Sequence, residues 1–340
     1  MAVHDPRLAD LGWKPFFSTQ MTSDEQVQCL PVRVMAVHRG KIAIAGAGTE
    51  DFILPHIPGA DAEEHRPAVG DWLLIDRESL LPTRLLNRAS LFKRLAAGGR
   101  QKLQVIAANV DTVFLVASCN QDFNIARLER YLVLAREVNV TPVVVLTKMD
   151  LTKEPGRFAE VARRLQPDLA VETVNARDPA SVARLAAWCG PGQTVALLGS
   201  SGVGKSTLVN TLRGSDSIAT QAVREEDGKG RHTTTVREMH RLDGGGWLLD
   251  TPGMRELQLS EAATGIAEVF DDIVTLAQQC RFSNCTHEAE PGCSVADAMK
   301  QGQLERERFD RWRKLSSEET ANSSERSTAH ARKLSKRART

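Results

Sequence analysis

Gly199-Ser-Ser-Gly-Val-Gly-Lys-Ser206 satisfies G-x-x-x-x-G-K-[ST] at every defined position. It follows a strand-like run, Thr194–Gly199, and opens a helix-like stretch, Lys205–Leu212, the context such a loop requires. Its glycines let backbone N–H groups curl round a phosphate, and the helix N-terminus adds partial positive charge. Gly199, Ser200, Ser201, Gly202, Val203, Gly204 and Thr207 are the expected phosphate-lining residues. Lys205 is expected to reach the β- and γ-phosphates, and the Ser206 hydroxyl to coordinate Mg²⁺. The bland alternative is a Gly/Ser-rich turn before a helix that happens to carry Lys-Ser.

Outward from the loop, residues 104–255 alternate strand-like runs (Thr112–Ser118, Pro142–Thr147, Leu169–Val174) with helix-like stretches (Ile125–Val138, Arg157–Leu165, Val182–Cys189). In Ile125–Val138, apolar side chains recur at Leu128, Tyr131, Leu132, Leu134 and Ala135, the pattern of a half-buried helix. Strands separated by such helices imply a parallel, doubly wound sheet. Upstream, short runs at Val32–Val37, Lys41–Ala45, Asp51–Leu54 and Asp71–Ile75 are broken by Gly and Pro, which predicts a small β-barrel.

A phosphate loop does not choose its base. Thr147-Lys148-Met149-Asp150 ends a strand-like run, so its side chains project from the strand's carboxyl end, where ligands bind in such sheets. Asp150 can accept from guanine N1–H and the 2-amino group; adenine offers neither, so discrimination follows from unpaired buried groups. The Lys148 stem can lie along the base. Asn175-Ala176-Arg177 ends the next strand, and its backbone can donate to guanine O6. Asp250-Thr-Pro-Gly253 follows Trp247–Leu249; Asp250 is expected to hold Mg²⁺ through water and Gly253 N–H to sense the γ-phosphate. Between Gly228 and Thr235 lies a polar loop, and one of Thr233, Thr234 or Thr235 is expected to complete the Mg²⁺ shell.

Cys280-x4-Cys285-x-His287-x5-Cys293 offers three thiolates and one imidazole, a closed structural zinc set, against the alternative of a chance cluster of reduced cysteines. Cys29, Cys119 and Cys189 sit singly beside apolar residues and are expected to be buried, inert thiols.

In Ras-like GTPases the phosphate loop comes first along the chain. Here it follows both base-reading turns, a circular permutation of that order. The sequence resembles the ribosome-small-subunit-dependent GTPase A (RsgA/YjeQ) family over about residues 28–315, through Val69-Gly-Asp-Trp72, Asn109-Val-Asp111, Thr147–Asp150, Gly199–Thr207, Gly230-Arg-His-Thr-Thr234, Asp250–Gly253 and the cysteine cluster. Asn175 stands where that family more often has Ser. The resemblance implies an α/β fold: a permuted P-loop GTPase domain with an N-terminal oligonucleotide-binding (OB-fold) β-barrel and a C-terminal zinc-binding helical domain. It implies action late in maturation of the small ribosomal subunit, binding to that subunit and its rRNA, and GTP turnover stimulated by the subunit. The boundaries read as a mobile N-terminus 1–27, barrel 28–85, basic linker 86–103, GTPase domain 104–258, zinc domain 259–315 and a disordered basic tail 316–340.

Ras-like enzymes carry a Gln after the Asp-x-x-Gly glycine to orient the attacking water. Here that position is Met254, which cannot hold a water, so intrinsic turnover is expected to be slow. His232 is the best polar substitute in the switch loop; a bystander histidine or a group supplied by the partner are the alternatives.

The 340 residues suggest two or three domains. With 41% apolar and 26% charged residues the chain is neither wholly disordered nor collagen-like, and a net charge of +1 names no partner. Charge is local instead. Arg84, Arg88, Lys93, Arg94, Arg100 and Lys102 form one basic stripe, and the last fifteen residues hold six Lys/Arg and no Asp or Glu. Both are candidates for RNA phosphate contact, or a solvated linker and tail. No apolar run approaches the about 18 residues of a membrane span, and the N-terminus lacks a signal peptide's apolar core. The expectation is a cytoplasmic, monomeric protein. The competing function is a non-enzymatic RNA-binding module that retains a nucleotide structurally. A small-molecule kinase is disfavoured by the Thr147–Asp150 base reader.

Overall fold

The computed structural model describes residues 5–58, 65–95, 103–214, 237–250, 262–288 and 290–337, with backbone alone at 95, 103, 250 and 324–337. Three short helices open it: α1 (Pro6–Asp10), α2 (Pro15–Ser18) and α3 (Ser23–Gln28). Asp5 caps α1, prolines occupy the first turns of α1 and α2, and Thr22 and Glu25 form a reciprocal capping box on α3. Leu8, Leu11, Trp13, Phe17 and Met21 share a buried cluster with Trp72 and Leu74, and Trp13 meets Trp72 edge-on with ring centroids 4.7 Å apart. The expectation of a mobile 1–27 is therefore corrected from residue 5 onward. Helices this short carry no readable periodicity, and their apolar side chains are buried against residues more distant in sequence, among them Ala45, Trp72, Leu74 and Leu86.

Five antiparallel strands follow: β1 (Cys29–Val37), β2 (Ile42–Gly46), β3 (Glu50–Ile53), β4 (Trp72–Asp76) and β5 (Pro82–Leu85). They lie in the order β3-β2-β1-β4-β5. Alternate residues Val32, Val34, Ile42, Ile44, Leu73 and Ile75 bury one face. The stretch read as a basic linker is instead partly a hairpin, β6 (Leu91–Leu95) with β7 (Leu103–Ala108). Two cations of the basic stripe read as phosphate-contacting or solvated are ion-paired within the protein, Arg84 to Glu25 at 2.8 Å and Arg88 to Asp71 at 2.7 Å.

The central sheet contains β8 (Thr112–Ser118), β9 (Thr141–Thr147), β10 (Ala170–Thr173) and β11 (Thr194–Leu198), then β12 (Arg237–Arg241) and β13 (Trp247–Asp250). Between them run α4 (Ile125–Glu137), α5 (Pro155–Arg163), α6 (Pro179–Val182) and α7 (Lys205–Leu212). The spatial order is β10-β9-β8-β11-β13-β12, parallel except for the antiparallel β12–β13 pair. Thus β11, fourth of these six along the chain, is a central strand. Apolar residues fill both faces of β8 and β9, as parallel strands require. β12 also pairs with β1, Ala36 opposite Glu238, which makes the two sheets continuous.

The join between them is polar and buried. Arg33 is 1% exposed, and its guanidinium donates to the carbonyls of Leu11, Asn109 (3.1 Å) and Gly70 (3.4 Å). Burial lowers its pKa to about 10, opposed by the nearby Asp111 and Asp71 carboxylates, so it remains charged. Asp71 is fully buried and receives two bonds from Arg88 (2.7 and 2.8 Å) and one from Ala68 N (2.7 Å). Gly70 has φ +90°, and a Cβ there would stand 2.1 Å from Ala108 O, so only glycine fits.

A second compact unit comprises 125–137 and 258–340. It includes α4, which the sequence reading assigned to the nucleotide domain. It adds α8 (Ala263–Val269), α9 (Asp271–Gln278), α10 (Ser294–Lys300) and α11 (Arg306–Arg337). The fully buried Glu129 of α4 accepts from Arg311 (2.6 Å) and Arg308 (3.2 Å) of α11, and Arg130 pairs with Glu318 at 2.6 Å. The backbone of α11 is helical to Arg337, through much of the expected disordered tail. Residues 306–337 contain neither Gly nor Pro, so nothing local stops the helix. Among the described residues no helix is long and apolar enough to cross a membrane.

Arg88→Ala removes the cation from a buried carboxylate and should cost about 3–5 kcal/mol, read as a lower urea-unfolding midpoint. Pairing Arg88→Met with Asp71→Asn should recover most of that loss.

Candidate functional site

β11 ends at Leu198, and the chain turns through Gly199–Gly204 into α7. Val203 is buried at the base of this turn. Gly204 is the N-cap of α7, with φ +93° and no side-chain cap, so the first N–H groups of the helix are left for an anion. A Cβ at Gly204 would press to 3.3 Å from Thr147 Oγ1, so the position also serves close packing. Lys205 Nζ donates to Gly199 O (2.8 Å) and to Ser200 O, which holds the ammonium over the mouth of the loop. Ser206 and Thr207 occupy the first turn of α7 beside it.

The 147–150 turn lies against this loop. Thr147 is fully buried, and its hydroxyl lies 3.1 Å from Ala117 O and closer to Val203 O, to which its one proton goes. Lys148 then adopts a left-handed conformation, φ +58°, and Met149–Leu151 form a single 3₁₀ turn with Asp150 exposed. Met149 N contacts Val174 O at 3.5 Å, at the end of the neighbouring strand.

The 175–177 turn is held from several sides. Asn175 O accepts from Asp178 N (3.0 Å), Asn175 Oδ1 from Arg177 N (3.0 Å), and Asn175 N donates to Ser181 Oγ (2.9 Å). A trans peptide points its N–H opposite its carbonyl, so Ala176 N–H faces away from the interior of the turn. Ala176 O accepts from Thr211 Oγ1 of α7 at 2.6 Å. The structure thus brings together three of the segments singled out in the sequence: Gly199–Thr207, Thr147–Asp150 and Asn175–Ala176. Thr211 and Ser181 were missed, because no motif marks a threonine or serine whose partner is a distant backbone atom.

The Asp250 backbone closes β13 opposite Glu238 of β12. Its side chain, Gly253, Met254, His232 and Thr233–Thr235 lie outside the described residues.

The thiols of Cys280, Cys285 and Cys293 and a ring nitrogen of His287 all lie within 4.8 Å of one another. His287 Nδ1 is 3.5 Å from Cys280 Sγ and 3.6 Å from Cys293 Sγ, and those two sulfurs are 3.9 Å apart. Metal distances of about 2.3 Å to sulfur and 2.0–2.1 Å to nitrogen, at tetrahedral angles, give edges of about 3.5 Å (S···N) and 3.8 Å (S···S). The three distances among Cys280, His287 and Cys293 match those edges, and with Cys285 the four groups could hold a metal ion. Burial acts to raise the Cys280 thiol, but backbone N–H groups of Val295 and Ser294 and the neighbouring thiols outweigh it and bring the pKa below its ordinary value. Cys293 also caps α10, its Sγ accepting from Ala296 N at 3.3 Å. His287 is braced by Phe309 and Trp312 of α11. Cys119 and Cys189 are buried, and burial raises their pKa values to about 11 and about 12; both suit inert thiols.

A family model described as RsgA GTPase matches residues 85–260. A Mesorhizobium japonicum protein named small ribosomal subunit biogenesis GTPase RsgA is 50% identical over 326 residues, 95% of this chain and 92% of its own length. A Vibrio parahaemolyticus protein named small ribosomal subunit biogenesis GTPase RsgA 2 is 47% identical over 317 residues, 93% of this chain and 86% of its own. Two solved structures share the fold. YjeQ from Thermotoga maritima matches with TM-score 0.62 and 24% identity over 84% of this chain and 97% of its own. YloQ, described as a circularly permuted GTPase, matches with TM-score 0.58 and 22% identity over 84% and 93%. With a phosphate loop that follows the 147–150 and 175–177 turns along the chain yet meets them in space, and with half its residues shared across nearly the whole length of a relative, this chain belongs to the RsgA GTPase family.

Proposed function

We propose that the protein hydrolyses GTP, binds the small ribosomal subunit through its rRNA and acts late in that subunit's maturation, the GTP state favouring docking and hydrolysis favouring release. One observation carries the nucleotide half: the buried Thr147 hydroxyl joins the 147–150 turn to Val203 of the phosphate loop, so base-facing and phosphate-facing groups form one site. The ribosomal half is supported by the names of the relatives.

In this reading Asp150 accepts from guanine N1–H and the 2-amino group, the Lys148 stem lies along the base, and Ala176 N–H donates to O6. Gly199–Thr207 hold the phosphates, with Lys205 released from the loop carbonyls to the β- and γ-phosphates. Ser206 and Asp250, the latter through water, hold Mg²⁺ with one of Thr233–Thr235; the ion offsets charge on the phosphates. Gly253 N–H senses the γ-phosphate. His232 accepts a hydrogen bond from the attacking water, which Met254 cannot hold.

Cys280, Cys285, His287 and Cys293 are assigned as ligands of one structural zinc; three thiolates and an imidazole leave no open position for catalysis. The five strands β1–β5 are read as an OB-fold barrel, a reading supported by the order β3-β2-β1-β4-β5 with β1 shared by both halves. The protein is read as a cytoplasmic monomer.

The test is GTP turnover with and without purified small subunits. Wild-type turnover should rise with subunits, and no turnover in either case would leave a nucleotide-retaining RNA binder. His232→Ala should keep GTP and subunit binding while cutting stimulated turnover about 10²-fold; unchanged turnover would move the water-positioning role to another group. GTP should outcompete ATP by about 3 kcal/mol or more. Asp150→Asn should weaken guanine nucleotides and admit xanthine, whose 2-oxo group accepts from the new amide, as competition binding would reveal. Purified protein should carry one zinc per chain by elemental analysis. Cys285→Ser should lose it and loosen 276–300 to proteolysis, because ligand binding is folding energy in such sites, while subunit-free turnover persists.

A further inference from the structure

Thr211 stands in α7, six residues after Lys205. Its hydroxyl lies 2.6 Å from Ala176 O and 3.1 Å from Thr207 O. A hydroxyl has one proton to donate. Thr207 O is the carbonyl that the helix ladder already pairs with Thr211 N–H. The proton therefore goes to Ala176 O, along the shorter contact.

The other hydrogen bonds to the backbone of the 175–177 turn come from within residues 175–181: Asp178 N to Asn175 O, Arg177 N to Asn175 Oδ1, and Asn175 N to Ser181 Oγ, whose hydroxyl also reaches Met149 Sδ at 3.8 Å. Ala176 packs in the same core as Val203 of the phosphate loop and Leu208 of α7, which brings the turn close without orienting its peptides. The Thr211 bond adds that orientation from α7, the helix whose first turn carries Lys205 and Ser206. It fixes the 176–177 peptide, while the Asp178 bond fixes the 175–176 peptide that carries Ala176 N–H. Ala176 is 7% exposed, so its carbonyl has little access to replacement water.

We infer that Thr211 is a positioning residue for guanine selectivity: it holds the O6-reading turn in a fixed orientation relative to the phosphate loop. The inference rests on the guanine reading of Asp150 and Ala176 proposed above. Without the hydroxyl the 176–177 peptide loses its hydrogen bond to α7 and can tilt, and the contact to O6 lengthens while the phosphate contacts stay in place. The penalty falls on nucleotides that carry O6 and spares those that lack it.

The test uses the full chain with Thr211→Val, nearly the same shape without the hydroxyl, and Thr211→Ser, which keeps it. Affinities are measured for GDP, for ADP and for 2-aminopurine riboside diphosphate, a purine without O6, with melting temperature as the control for folding. Thr211→Val should weaken GDP about 5- to 10-fold, the range for one strained or lost hydrogen bond in a buried site, and leave the 2-aminopurine nucleotide within about 2-fold. Thr211→Ser should restore GDP affinity. Wild-type GDP affinity in Thr211→Val, or an equal loss for both purines, would overturn the inference and make the threonine a purely structural residue. Equal affinity of the wild type for GDP and ADP would overturn the guanine reading itself, and with it this role.

Discussion

The buried guanidinium of Arg33 is the interaction on which the first compact unit depends. It donates to carbonyls from three separate parts of the chain: Leu11 after α1, Gly70 before β4, and Asn109 between β7 and β8. A charge removed from water is strongly destabilising unless it is hydrogen-bonded or paired. Here that constraint forces the N-terminal helices, the small β-sheet and the start of the central sheet into one arrangement. Asp111 extends the join, accepting from Thr194 N at 2.9 Å at the start of β11 and pairing with Lys14. The strand that ends in the phosphate loop is thereby registered against the N-terminal helices.

From that frame the nucleotide site follows with few further interactions. β8 and β11 are central and parallel, so their carboxyl ends open on the same crevice. Thr147 ties the 147–150 turn to the phosphate loop, and Thr211 ties the 175–177 turn to α7. Each link is one hydroxyl to one carbonyl across a large gap in sequence. Such bonds contribute about 1 kcal/mol each to stability, and their importance lies in geometry: they fix the two turns against the loop and helix that carry Lys205 and Ser206.

The second unit combines buried apolar side chains, among them Leu132, Ile266, Phe270, Ile273 and Phe309, with buried charge and the Cys/His cluster. Glu129, with no exposed side-chain surface, sits between Arg308 and Arg311, and Arg308 also reaches Asp272 at 2.7 Å. Burial alone would raise the Glu129 pKa, and it does, against the two guanidiniums that favour its charge. Because α4 lies in sequence between β8 and β9, the chain passes between the two units at both ends of α4 as well as at residues 257–258.

Local sequence determined whatever depends on neighbours along the chain. The phosphate loop, the strands β8 and β9, the helix α7 and the metal-ligand spacing were legible because each is written within about a dozen residues as glycines, apolar runs or ligand intervals. The order of the motifs also revealed the permutation, since order survives without coordinates. Tertiary structure alone decided the rest. Residues 5–28 are folded because Trp72 covers them, α4 belongs with the C-terminal helices because Glu129 meets two arginines more than 170 residues away, and Arg84 and Arg88 are ion-paired rather than free. Thr211 reads in sequence as an ordinary helical threonine. Its partner is a backbone carbonyl 35 residues distant, and a carbonyl has no identity that a sequence can display. Periodicity and motif encode which side chains prefer burial or phosphate, whereas the pairing of a buried charge or hydroxyl with a distant backbone atom exists only once the chain has closed around it.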